Sequence, residues 1–156
     1  MLHEVFNPAC AAVNVTACDK TEAISVLVDL LVKSGKVPDR EALIKAVMER
    51  EALAPTGLGE DCAIPHAQTD VVSTTSIAAV RLATPVDFNA PDGTTARLVF
   101  LIVGPKDSAA VHLRLLSRLA RILSDIDFRT TAMAAPDAEA FAAMLLKTDE
   151  PPAPRA

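Results

Sequence analysis

The chain has 156 residues, 51% of them hydrophobic and only 3% aromatic, so a single domain around an aliphatic core is expected. Its formal net charge of −5 argues against a broadly basic nucleic-acid-binding face. No stretch reaches the roughly 20 apolar residues of a membrane-spanning helix, and Met1-Leu2-His3-Glu4 lacks a signal-peptide flank, so a cytoplasmic protein not itself embedded in a membrane is expected.

Residues 1 to 18 hold Pro8, Cys10 and Cys18, with a short strand expected at Ala11–Val15. Asp19 with Glu22 three residues on is a capping-box-like helix start. Ile24, Leu27, Val28 and Leu31 continue it at helical spacing, and Gly35 is placed to end it in the left-handed conformation. A second helix begins near Pro38-Asp39 and carries a Leu43, Ile44, Val47, Met48 stripe through Glu51, and Pro55 blocks its continuation. A glycine loop then leads to Ala63-Ile64-Pro65-His66, a histidine on a proline-stiffened turn.

Thr75–Leu82 reads as a strand, and Pro91-Asp92-Gly93 as a turn. Leu98–Val103 is an unbroken apolar run between Arg97 and Gly104-Pro105, the pattern of a strand buried on both faces. Asp107 or Ser108 opens a helix to about Leu123, with Arg114, Arg118 and Arg121 on a face away from its leucines; these arginines read as a solvated face or, less often, a docking face. Helices around Asp125–Ala134 and Pro136–Lys147 follow. The fold class expected is a single layered α/β domain, a mixed sheet flanked by alternating helices, over residues 1–148, with a flexible tail at 149–156.

Three kinds of site fail on spacing. There is no GxxxxGK[ST] run for a phosphate-binding P-loop. Gly57-x-Gly59 lacks the third glycine of a dinucleotide fingerprint. Cys10, Cys18 and Cys62 form neither a CxxC pair nor an even disulfide set, and Pro65 keeps Cys62 and His66 off a common helix face, so neither a metal nor a cofactor is expected.

His66 remains. An imidazole titrates near pH 6.5 and is a nucleophile that can accept and release a phosphoryl group. The Gly57-Leu58-Gly59 segment could offer unobstructed backbone N–H groups to phosphate oxygens. On the residues alone, His66 is equally well a surface or core histidine after a strand. His112 falls beyond the C-terminal end of the buried strand, where sites of open α/β sheets form, but a histidine on a helix surface among leucines fits it too.

Thr56-Gly-Leu-Gly-Glu-Asp-Cys-Ala-Ile-Pro-His-Ala resembles the active-site signature of the enzyme IIA components of the bacterial phosphoenolpyruvate-dependent sugar phosphotransferase system (PTS), fructose/mannitol/nitrogen-regulatory class. Asp87–Gly93, Leu98–Gly104-Pro105 and His112-Leu113 follow that pattern in order, and the resemblance covers roughly residues 19–147. It implies an α/β domain with His66 as phosphoryl acceptor, His112 as a second histidine beside the phosphate, and Arg50 as a basic phosphate contact. It also implies two partners, the phosphocarrier HPr as donor and a IIB component as acceptor. Ala67, where the nitrogen-regulatory branch commonly has glycine, and Asp92-Gly93 look more like the fructose branch. The implied function is a phosphotransferase carrying phosphate toward fructose-like sugar uptake; the alternative is a nitrogen-regulatory IIA whose phosphorylation state controls binding to regulatory targets.

Overall fold

The computed structural model describes residues 1–150. After a 3₁₀ turn at Leu2–Glu4, the elements are β1 (Phe6–Val15), α1 (Lys20–Lys33), α2 (Arg40–Leu53), β2 (Gly57–Gly59), β3 (Cys62–Ala63), β4 (His66–Gln68), β5 (Ser76–Val86), β6 (Ala96–Gly104), α3 (Ala109–Leu123), α4 (Ile126–Ala134) and α5 (Ala138–Lys147). The mixed sheet runs β1-β5-β6-β3-β2, with β4 also paired to β6. The layered α/β class is as expected, but helices and strands do not alternate: two helices, a block of five strands and three helices follow β1.

β6 is the middle of this arrangement. Its eight residues other than Arg97 are buried, as an uninterrupted apolar run requires when neither face meets water. It pairs antiparallel with β5 along one edge. Along the other it pairs parallel first with β3, at Leu98 and Val99, and then with β4, at Ile102 to Gly104. β1 pairs parallel with β5 and extends from Phe6, well before the expected Ala11. Its first half breaks the hydrophobic alternation: Asn7, Pro8 and Ala9 are exposed between Phe6 and Cys10, and the pairing register shifts there.

Local sequence explains the helix ends. Asp19 Oδ1 accepts from the Glu22 N–H at 2.8 Å, and Glu22 reaches back to the Cys18 N–H, so the acidic cluster at this end serves as a cap. Gly35, at φ +80°, lets its own N–H reach the Val32 carbonyl and that of Lys36 reach Leu31, the two bonds of a Schellman ending. Asp39 and Asp137 cap α2 and α5 in the same manner as Asp19. Ser108 is the N-cap of α3, but its hydroxyl turns to Asp107 instead of to the helix.

Two expectations change at the surface. The arginine face of α3 is not simply solvated. Arg118 is half-buried and donates to the Thr148 carbonyl (2.8 Å) and to Asp149 (2.9 Å), while Arg114 and Arg121 are exposed. Asp149, assigned above to the tail, also accepts from the chain's N-terminal amino group and from the His3 N–H. The packed unit therefore reaches Asp149; Glu150 is exposed, and residues 151–156 of the expected tail lie outside the described residues. Among the described residues no helix is long and apolar enough to cross a membrane.

Candidate phosphoryl-transfer site

The segment expected to be a glycine loop is a β-hairpin. β2 and β3 pair antiparallel, closed by Glu60 and Asp61, which both lie in the left-handed region (φ +56° and +62°). Positive φ at both turn residues is what a two-residue hairpin needs to follow the twist of its strands. The glycines serve packing here. A Cβ on Gly57 would lie 2.8 Å from the Phe88 carbonyl oxygen, and Gly59, at φ +87°, sits under the Asp92 carboxylate. Asp92 accepts from the Glu60 N–H, which ties the hairpin to the Pro91–Gly93 turn. Of the three residues proposed as a phosphate loop, Leu58 alone borders a cavity that His66 lines.

His66 likewise is not on a free turn. It begins β4, opposite Ile102 of β6, and the Pro65 carbonyl accepts from the Ile102 N–H. Parallel pairing holds its backbone, and a second contact orients its ring: Nδ1 lies 2.8 Å from the Ile64 carbonyl. A carbonyl oxygen only accepts, so Nδ1 carries the proton and Nε2 keeps its lone pair. Burial pushes the His66 pKa below its ordinary value; the bond to Ile64 opposes this and the Arg50 charge reinforces it. The ring is therefore neutral and nucleophilic at pH 7.

His112 enters from α3 and packs beside Gly104, whose missing side chain makes room for Thr75: a Cβ there would lie 2.9 Å from Thr75 Oγ1 and at an ordinary 3.6 Å from His112 Nδ1. The two imidazole centroids are 5.5 Å apart. His112 is 4% exposed, yet neither ring nitrogen has a hydrogen-bond partner. Buried polar groups are nearly always paired, so such an orphan asks for an explanation. Burial, and then the neighbouring His66 and Arg50, push its pKa down to about 4, so it too is neutral. One N–H and one lone pair are thus left unpaired just beneath the surface of the cleft.

Arg50 lies in the last turn of α2 and lines the same cleft, with Nη1 donating to the Ala54 carbonyl at 3.0 Å. The structure thus brings His66, His112 and Arg50 together around an open cleft of about 1020 Å³ between α2, β4 and α3. Sequence reasoning named Leu58 but missed the other two leucines of its rim. Leu53 (83% exposed), Leu113 (65%) and Leu58 (44%) surround His66 with apolar side chains that the fold leaves in water. A leucine off the buried stripe of its helix was the available signal. Two polar residues behind the site were missed as well: Glu51 is buried, accepts from Thr56 and pairs with Lys20.

The arrangement suits transfer of a small anionic group. It has a nucleophilic nitrogen with a fixed lone pair, a neutral donor beside it, a guanidinium at the edge, and an apolar rim that a partner protein can cover. A phosphoryl-transfer carrier on a mixed α/β sheet is the class that the fold and this histidine pair define. The chain belongs to the family described as "Phosphoenolpyruvate-dependent sugar phosphotransferase system, EIIA 2", which matches residues 4–148. It is 44% identical over 110 residues to a PTS system fructose-specific EIIA component of Haloferax volcanii, covering 70% of this chain and 71% of that protein. The nitrogen regulatory protein IIA-Ntr of Neisseria meningitidis superposes with a TM-score of 0.85 at 29% identity, over 91% of this chain and 97% of that one. The mannitol enzyme IIA of Escherichia coli, solved in complex with phosphorylated enzyme IIB, superposes with a TM-score of 0.66 at 28% identity, over 78% of this chain and 84% of that one.

Proposed function

We propose that this protein is the IIA phosphotransferase of a fructose-type PTS in the cytoplasm, taking phosphate from an HPr-type carrier onto His66 Nε2 and handing it to a IIB component. The single observation that carries this reading is the Ile64 carbonyl at 2.8 Å from His66 Nδ1, which leaves Nε2 as the only ring nitrogen with a free lone pair. In the transfer, the Nε2–phosphorus bond forms while the bond from phosphorus to the donor breaks, and the donor leaves with that electron pair. The ring keeps its Nδ1 proton and becomes cationic, and the Ile64 carbonyl stabilises the new charge. His112 donates its N–H to a phosphoryl oxygen, and Arg50 offsets negative charge at the cleft edge. Handing the group to a IIB component reverses these changes.

The Leu53, Leu58 and Leu113 rim supports protein partners over a free small-molecule donor, because exposed apolar side chains around a reactive group are what a docking face requires. The solved mannitol IIA–IIB complex supports a IIB component as acceptor, and the Haloferax relative supports the fructose branch. Incubating the protein with phosphoenolpyruvate, enzyme I and HPr tests the proposal. One acid-labile phosphate per chain is expected, absent in His66→Ala; label retained by that variant would sink the assignment.

A second reading has its own observation. The nitrogen-regulatory IIA of Neisseria matches over nearly its whole length. On that reading the phosphorylated and free forms differ in binding to regulatory targets, and no sugar is moved. Transfer of label from His66 to a purified IIB component selects the transport reading; its failure with every IIB tested selects regulation.

A further inference from the structure

Behind the two histidines lies a polar side chain with no part in the chemistry described so far. Glu51, in the last turn of α2, is 5% exposed. Its Oε1 accepts from the Thr56 N–H at 3.2 Å and from the Thr56 hydroxyl at 3.0 Å, and lies 3.4 Å from Lys20 Nζ. Its Oε2 is buried with no partner. Packing alone is served better by an apolar side chain, since a buried carboxylate loses its hydration. A carboxylate retained here calls for a role in holding something in place.

What it holds is Thr56. The chain between α2 and β2 is exposed at Ala54 and Pro55, and Pro55 has no N–H to donate. Thr56 in turn holds Ile64: the Ile64 N–H donates to the Thr56 carbonyl at 3.1 Å. Ile64 in turn orients His66, through the 2.8 Å contact from its carbonyl to Nδ1. Four residues, Glu51, Thr56, Ile64 and His66, are thus joined end to end by hydrogen bonds from the last turn of α2 to the reacting ring.

We propose that Glu51 is a positioning residue for phosphoryl transfer: by anchoring Thr56 it fixes the Ile64 carbonyl that keeps the proton on Nδ1 of His66 and the lone pair on Nε2. The inference rests on the phosphoryl-acceptor reading of His66. The neutral imidazole of a histidine in water prefers the opposite tautomer, with the proton on Nε2, so the site has to impose its choice through the partner of Nδ1. If the Ile64 carbonyl drifts, the proton moves to Nε2 and occupies the position that must attack. Glu51 also places negative charge where it favours the cationic ring formed on phosphorylation.

The test is the ring spectrum of His66 in ¹⁵N-labelled full-length protein at pH 8, read with the rate of phosphoryl uptake from phosphorylated HPr. Wild type should show the Nδ1–H tautomer. Glu51→Ala should show a mixture, with uptake at saturating donor about tenfold slower and KM for the donor unchanged. Glu51→Gln, whose amide oxygen can still accept from Thr56, should restore the tautomer and most of the rate. If Glu51→Ala fails to fold, the double variant Lys20→Met, Glu51→Leu removes both members of the ion pair together and should show the same mixture. A pure Nδ1–H tautomer in either folded variant, or a mixture with full rate, overturns the proposal. Absence of uptake by the wild type would instead overturn the reading of His66, which the proposal shares.

Discussion

Two buried polar side chains of this protein are treated in opposite ways. Arg81 projects from β5 into the corner between α4 and α5, where its Nη1 donates to the carbonyls of Ala132 (2.9 Å) and Ala135 (2.7 Å). Those carbonyls end α4, where partial negative charge accumulates and no further helical N–H is available. His112, equally buried, has no partner on either nitrogen. The first residue is satisfied within the fold, so its contribution is stability. The second borders the cleft with both ring nitrogens buried and unpaired, so no hydrogen bond of the fold holds its ring. Paired burial serves the fold at Arg81, and unpaired burial at His112 is what the proposed site accounts for.

The sharpest break in that comparison comes from exchanging the two losses. Arg81→Met should destabilise the protein by about 3 kcal/mol, since two helix-end carbonyls lose a charged donor. The fraction that remains folded should still take up phosphate at the wild-type rate. Urea denaturation with uptake measured below the transition checks both halves. A loss of rate in the folded fraction would mean that the α4 corner also shapes the cleft.

His112→Ala should do the reverse. Loss of a donor aimed at the transferring group should slow uptake by about 10²-fold. Stability should fall by much less than for Arg81→Met, because no hydrogen bond within the protein is lost. Stopped uptake assays with a denaturation curve on the same sample decide this. An unchanged rate would remove His112 from the site.

The rim should respond more weakly. Leu113→Asp, at a side chain 65% exposed, should leave the fold intact and raise KM for phosphorylated HPr by about tenfold, with kcat nearly unchanged. A titration of donor concentration reads this split, and a fall in kcat alone would place Leu113 outside the docking face.

The smallest effect expected is on pH. The native His112 pKa is about 4, against about 6.5 in an unfolded chain. Between these values the unfolded chain binds a proton that the native ring refuses. Stability is therefore undiminished above pH 6.5 and falls as the pH drops toward 4. His112→Gln should flatten that part of the Tm profile. The rate of uptake should hold constant from pH 8 to below the ordinary histidine range, because the His66 pKa is also depressed and its nucleophilic form persists there.

Much of this was legible in the chain itself. The apolar run at Leu98–Val103 can be buried on both faces only as a central strand, and it is one. Asp19, Gly35 and Asp39 end their helices by bonds within a few residues, so local sequence is enough to read them. Periodicity and capping are short-range signals, and they located α1, α2, α3 and α5 to within a few residues.

Short strands and the site's wiring were not legible, because chain reversal and strand pairing, not a local residue pattern, give them their form. β3 and β4 have two or three residues each and owe their form to pairing with β6, some forty residues on, and β2 joins the sheet only through its hairpin with β3. Gly57 and Gly59 look like a flexible phosphate loop until Phe88 and Asp92 are seen filling the space that their side chains would need. The sequence by itself named the candidates, His66 and His112, because a histidine in this motif and a second one beyond a buried strand are chemical identities. Only the tertiary structure decided how they act. The unpaired nitrogens of His112, the Glu51 anchor and the leucine rim are relations between segments that packing brings together, and the His66 tautomer follows from a local turn that pairing with β6 holds in place.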